Sequence, residues 1–361
     1  MSIPNKRSSA DRAGFKPVST RPVARCEYEE KEDSMRLRKG LALVFTAMLL
    51  VNMSAVPTLA DESDPTIHAV PASVMIYPLF DAQDDTATYI SVTNTNSSRS
   101  SCNSPTLEGD VCLHYIYINK DPLDADDDCD EFDRFECLTP GDTLTVDVSA
   151  HNPERQQGWL WVEARDPQTF EPIDFDYLIG SAIIVEATTD FAWSYTPYAF
   201  KGKRETNCDG QSICGYYFTD CDHEGDADFN GNEYEYFPND ILLDQFFAEG
   251  HRNINSQITL MSVKQNGDTN VSAFIWNNDE VRFSRGFAFE CFSRAPLTTI
   301  SNIVTDANLG GVINQNEPFR TGWIEFNAAD GILGVYRHRK ANFVAGKELF
   351  TDGTQSASID R

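Results

Sequence analysis

Apolar and polar residues alternate with a period of two along most of this chain. That is the spacing of a strand that buries one face. The pattern predicts strands over 74–80, 88–92, 111–118, 144–148, 159–163, 182–185 and 191–195. A second group follows over 257–263, 271–276, 281–290, 322–326, 332–337 and 343–349. Turn residues punctuate them: Pro140-Gly141-Asp142, Asn266-Gly267-Asp268, Asp330-Gly331 and Asp352-Gly353. One short helix is expected over 241–248, with Asn239 or Asp240 as its cap. Many short strands of this kind predict an all-β chain, an antiparallel β-sandwich or two packed β-domains with disulfide-stapled acidic loops. Residues 61–200 read as a β-sandwich domain. Residues 201–240 form a Cys- and Asp-rich loop or insertion, and 241–361 a second β-domain or the other half of one sandwich.

The first sixty residues break the pattern. Residues 1–34 are polar and read as an upstream extension or mis-start. Met35-Arg36-Leu37-Arg38-Lys39 is basic, and residues 41–51 are apolar. Pro57-Thr58-Leu59-Ala60 then leads into Asp61-Glu62. A basic segment, a short apolar run and a small residue describe a signal peptide over 35–60, cut after Ala60. Asn52, Ser54 and Pro57 interrupt the run before the ~20 apolar residues that a membrane span needs. No later segment is long and apolar enough to cross a bilayer as a helix. The chain is therefore expected to be secreted, periplasmic or envelope-associated.

Charge sharpens this picture. The chain carries 29 Lys+Arg against 56 Asp+Glu, a formal net charge of −27. Its first sixty residues hold 10 of the former and 6 of the latter, so the remainder has 19 against 50, a net of −31. Such a surface repels phosphate backbones and argues against nucleic-acid binding. It fits metal binding, a salt-adapted surface, or both. Eight cysteines follow residue 60, an even number that implies disulfides in an exported chain. Short spacing points to Cys102–Cys112 and Cys129–Cys137.

The acidic loops carry the main chemical signal. Between 220 and 232 every second residue bears a side-chain oxygen: Asp220, Asp222, Glu224, Asp226, Asp228, Asn230 and Asn232. Glu233 follows, and Gly231 supplies a turn. Calcium takes six to eight hard oxygen ligands, and a flexible Asp/Asn loop with a glycine offers them. The core 226–232 resembles the calcium loops of EF-hands and of dockerin-like or thrombospondin-type repeats. The resemblance implies Asp226, Asp228 and Asn230 as side-chain ligands and Asn232 as a carbonyl ligand. It ends at Phe237, where an EF-hand has glutamate, and no flanking helices are predicted. A second acidic run, 121–133, reads equally as bound calcium or as a solvated loop.

Motifs for catalysis are missing. There is no G-x-S-x-G elbow, no H-E-x-x-H and no P-loop. The reading therefore leans away from an enzyme. Trp159 and Trp161, and Trp193 and Tyr195, lie two apart and share a strand face. Exposed, either pair could stack sugars, and a carboxylate pair beside it could hydrolyse them; buried, they are core. The segment 77–81 leading to Thr93-Asn94-Thr95-Asn96 resembles uncharacterised exported β-rich bacterial proteins, which implies no activity. The expectation is an exported, disulfide-stabilised, calcium-binding β-protein. It would be a structural or binding component of the cell envelope or exterior, with an envelope or extracellular protein or a glycan as partner. The alternatives are a secreted carbohydrate-binding or glycoside-hydrolysing protein, and a salt-adapted acidic structural protein without a specific site.

Overall fold

The structure is a computed structural model. It describes residues 70–360 except 84, 98–108, 122–128, 155, 188–189, 204–215, 218–225, 250–253, 265–266, 311–319, 341–342 and 353–356. The expected leader, and Cys102, Cys208, Cys214 and Cys221, lie outside the described residues. Asp61–Arg361 forms one compact unit.

Among the described residues, twenty-two strands, all paired antiparallel, account for nearly all the regular structure. Sheet A has the order β10 (Tyr198–Phe200), β1 (Val74–Asp81), β6 (Gln157–Arg165), β3 (Val111–Lys120), β4 (Asp130–Leu138). Sheet B runs β5 (Thr143–Asp147), β2 (Thr86–Asn94), β8 (Leu178–Glu186), β9 (Phe191–Tyr195). Sheet C runs β17 (Phe292–Pro296), β14 (Ile254–Met261), β19 (Leu333–Lys340), β20 (Phe343–Glu348). Sheet D runs β16 (Arg282–Glu290), β15 (Asp268–Asn277), β18 (Thr321–Ala328), β13 (Asp240–Phe247), β21 (Phe350–Asp352). Two small pairs complete the set: β7 (Ile173–Asp174) with β11 (Tyr216–Tyr217), and β12 (Asp226–Phe229) with β22 (Ala357–Asp360). The described helices are single turns, α1 (Val148–His151), α2 (Leu297–Ile300) and one 3-10 turn over 302–304.

The burial patterns decide how these sheets meet. Every residue of β1 and β6, and all of β3 but its last, is buried. Sheet A therefore needs cover on both faces. Sheet B alternates, with Thr88, Ile90, Val92 and Asn94 inward and Tyr89, Ser91 and Thr93 outward. Sheet C is a shared wall: Leu333 and Val335 join the core with sheet A, while Ile258, Leu260 and Tyr336 join a second core with sheet D.

A meets B through β1 and β8, B meets C through β9 and β20, C meets A through β14 and β19 against β1, and C meets D through β19 and β13. A disulfide, Cys129–Cys291, then ties the margin of sheet A at β4 to the corner between β16 and β17. The four sheets stand as a four-bladed, propeller-like ring, in place of the expected sandwich. A sandwich needs only sheets with one apolar face; sheets A and C have two. The strands of A and B interleave along the chain and do not meander blade by blade.

Two other expectations are corrected. The segment 241–248 is not a helix but most of β13, bonded on one side to β18 and on the other to β21. Ile241, Leu243 and Phe246 enter the core at strand spacing, and a bulge at Asp244-Gln245 supplies the odd step that mimicked a helical period. Among the described residues the disulfides are Cys112–Cys137 and Cys129–Cys291, in place of the expected Cys102–Cys112 and Cys129–Cys137. Antiparallel pairing of β3 with β4 places Cys112 directly opposite Cys137, which neighbours in sequence could not reveal.

A polar tie locks sheet C to sheets A and B. Arg294 of β17 donates to Asp81 of β1 and to Gln157 of β6. Arg337 of β19 pairs with Glu186 of β8 at 3.1 Å. Both arginines also reach Gln257 Oε1, at 3.3 and 3.0 Å. The outermost strands of sheets A and D are guarded by charge. Strand β4 carries Asp130, Glu131, Asp133, Arg134 and Glu136, and β16 turns Arg285 to the same face as Phe283 and Phe287. Charges so placed discourage further strands from adding to an open edge.

Peptide mapping of the oxidised protein should recover the 129–291 bridge. In the chain-entropy picture a bridge across 162 residues stabilises by about 5 kcal/mol. The variant Cys129→Ser/Cys291→Ser should therefore unfold at clearly lower denaturant, while a 129–137 fragment in the map would overturn the assignment.

Candidate functional site

Of the predicted calcium ligands, Asp220, Asp222 and Glu224 lie outside the described residues. Asp226 opens β12, paired opposite Asp360. Asp228, Asn230, Asn232 and Glu233 come together in one tight turn. The Asp228 amide donates to Glu233 Oε2 at 2.7 Å, the Asn232 amide donates to Asn230 Oδ1 at 2.7 Å, and Asn230 Nδ2 donates to Asp228 Oδ2 at 3.0 Å. Gly231 holds φ at +82°, and a Cβ there would lie 2.5 Å from the Tyr236 ring. The alternation has a second meaning here. Ala227 and Phe229 point inward, and Phe229 meets Trp161 and Phe200 edge-on on the outer face of sheet A. Asp228 and Asn230 are the residues this alternation leaves on the outside. Among the described residues, no group of three or more His, Cys, Asp or Glu is assembled for a metal.

Beneath this turn runs a buried polar chain that the sequence did not announce. Tyr234 donates to Glu163 Oε1 at 2.6 Å, and the other carboxylate oxygen pairs with Arg165. Arg165 Nη2 lies 3.2 Å from His114 Nδ1, and His114 Nε2 lies 3.1 Å from Asp133. Arginine can only donate, so His114 accepts at Nδ1 and carries its proton at Nε2, facing Asp133. Its ring stacks on Phe135, 4.2 Å between centroids. Burial, and then the Arg165 charge, hold His114 below the usual histidine range. Glu163, Arg165 and His114 meet because β3 and β6 set Glu163 opposite His114. Only strand pairing brings residues 51 apart together, and no local motif could have signalled it.

A second acidic pair lies beside Lys201. Asp176 accepts from Ser73 Oγ at 2.7 Å and from the Gly202 amide at 2.9 Å, while Glu235 accepts from the Lys201 amide at 3.0 Å. Burial raises both carboxyls, and the Asp176 charge adds to the rise at Glu235.

The aromatic pairs singled out in the sequence are core. Trp159, Trp161, Trp193 and Tyr195 are all buried, which removes the sugar-stacking role offered to them. An exposed aromatic face exists elsewhere, on the outside of sheet D. Trp276 of β15 and Trp323 of β18 are register partners whose rings stack 3.8 Å apart and 2° from parallel. The Arg282 guanidinium of β16 lies 4.1 Å above Phe274 and 5.3 Å from the Trp276 ring. The two tryptophans are 47 residues apart in sequence, so the signal was invisible without the register.

Neither a family model nor a curated protein sequence matches the chain. Among solved structures, the viral chemokine binding protein R17 of rodent gammaherpesvirus Peru aligns over 81% of this chain and 88% of its own. Its identity is 8% and its TM-score 0.17. The C-terminal domain of the Streptococcus pyogenes antigen I/II-family protein AspA aligns over 82% and 95%, at 8% identity and a TM-score of 0.12. Values of this size do not establish a shared fold.

Two buried histidines, His114 and His151, and the half-buried His338 contribute to the response to acid. Burial lowers His114, His151 and His338, the last two aided by Arg134 and Lys347 respectively. The unfolded chain then takes up protons first, so these groups lose stability as pH falls through about 6.5, and the loss ends below their folded values. The raised carboxyls of Asp176 and Glu235 act in the opposite sense at lower pH. Thermal unfolding from pH 7.5 to 5.5 should show a falling melting temperature, and the fall should be smaller in His114→Asn.

Proposed function

We propose that this is an exported, disulfide-bonded β-protein that works by binding, as a component of the cell envelope or exterior. The observation that supports it best is the Trp323–Trp276–Arg282 row on sheet D, in which Trp323 and Arg282 are exposed and Trp276 is half-buried. The disulfides agree with an oxidising compartment. Two tryptophans on an open sheet face are exposed apolar area at a fixed geometry, and such area is what binding surfaces use. The test uses the oxidised protein and isolated envelope material. Sedimentation should carry the protein down with the envelope, and Trp276→Ala/Trp323→Ala should leave it in the supernatant. Co-sedimentation unaffected by the double substitution would overturn the assignment of this face.

Calcium belongs to the same proposal, as the ion that the 220–233 loop would hold through Asp226, Asp228 and Asn230. Spacing supports it, together with a turn that already clusters Asp228, Asn230 and Glu233. The bound ion would stabilise the native state by about 2.7 kcal/mol at 100 times its dissociation constant. Melting temperature at fixed ionic strength should therefore rise in calcium over EDTA and over magnesium, and Asp226→Ala/Asp228→Ala should abolish the rise. An equal response to magnesium, or none, would leave the loop as solvated charge closed by its own hydrogen bonds.

A further inference from the structure

We infer that the free face of Trp323 is a subsite for a neutral saccharide. The inference rests on the sheet D face proposed above as the binding surface and names the ligand class that the face selects.

Three strands build the site. Along β15 the outward residues are Phe274 and Trp276, and along β18 they are Trp323 and Glu325. Pairing of β15 with β16 sets Arg282 opposite Trp276. The order across the sheet is thus Arg282, Trp276, Trp323. Trp276 has a cation near one face and an indole on the other. Trp323 has the indole on one face and remains 37% exposed. Its orientation is held by the stack, so a ligand would find the ring already in place and little side-chain freedom would be lost on binding.

The strand on the far side of Trp323 is bulged. Leu243 pairs with Ile324 and Phe246 with Gly322, so Asp244 and Gln245 together oppose Trp323 alone. Both are exposed, and Asp244 pairs with Lys347. An amide and an ion pair therefore border the strand position of an exposed indole.

Size and charge choose the ligand. A tryptophan side chain of up to ~250 Å² at this exposure offers on the order of 100 Å². A stable protein interface needs ~800 Å² from each partner. The site matches one ring and not a protein surface. Asp244 is matched by Lys347, and Glu325, two residues along β18, is offset by Arg282 two strands away, so the surroundings carry no net charge and select neither cation nor anion. The net charge of −27 acts further against polyanions. A neutral sugar ring combines an apolar C–H face for the indole with rim hydroxyls for the Gln245 amide and the Asp244 carboxylate.

Isothermal titration of the oxidised protein with neutral hexasaccharides of glucose, mannose and N-acetylglucosamine tests this, with a hexauronate and an oligolysine as controls. At least one neutral oligomer should bind. Trp323→Ala should weaken it by at least about tenfold, equivalent to about 1.4 kcal/mol. Gln245→Ala, which keeps the ring stack, should weaken it several-fold. Unchanged melting temperatures would separate lost contacts from lost folding. No binding to any neutral oligomer, affinity unchanged in both variants, or tighter binding of either charged control would overturn the inference. Envelope binding that depends on the tryptophans while every saccharide fails would sink the saccharide and leave the binding face standing.

Discussion

The structure depends on sheet A being apolar on both faces. Eight consecutive residues of β1 and nine of β6 are buried, including Trp159, Trp161 and Tyr77. A sheet of that kind cannot stand at a surface, because each uncovered large side chain would forgo about 1.5–3 kcal/mol of transfer free energy. Sheet B covers one face. The aromatic residues Phe229, Tyr234 and Phe237, delivered by the 226–237 segment, cover part of the other. Sheet C then serves two cores at once, and the ring follows from that sharing.

Burial on this scale has a polar consequence. Glu163, Arg165, Asp81 and Arg294 are drawn inside with their strands, and each finds its opposite charge there. Breaking one such pair would leave an isolated buried charge, which costs about 3–5 kcal/mol. The Asp81–Arg294 and Glu186–Arg337 pairs join strands from distant parts of the chain, with separations of 213 and 151 residues. They therefore specify how sheet C sits against sheets A and B, where apolar packing alone would tolerate sliding.

The acidic turn illustrates how one pattern serves two ends. Alternation over 226–230 puts Ala227 and Phe229 into the core and Asp228 and Asn230 outside, as any half-buried strand would. The same alternation spaces oxygens as a calcium loop does. Its side chains close the turn by bonding to Asn232 and to one another, which gives the residues a structural task whether or not an ion is added. By contrast, Trp323 and Trp276 stack on each other across two strands, with Arg282 beside Trp276 and Trp323 left 37% exposed.

Local pattern by itself determined the strands, because a period of two and β-branched runs report burial directly. Val271 to Trp276 alternates as that period requires, while Val74 to Phe80 and Val111 to Ile118 are strands as expected but buried on both faces. It pointed to disulfides as well, though not to their partners. It misread β13, where the Asp244-Gln245 bulge disturbed the period, and it judged Trp159 and Trp193 only as alternatives. Partnership was decided by the tertiary structure: Cys129 with Cys291, Glu163 with His114, Trp276 with Trp323. Each joins residues far apart in sequence, and strand register, not spacing along the chain, brings them within reach.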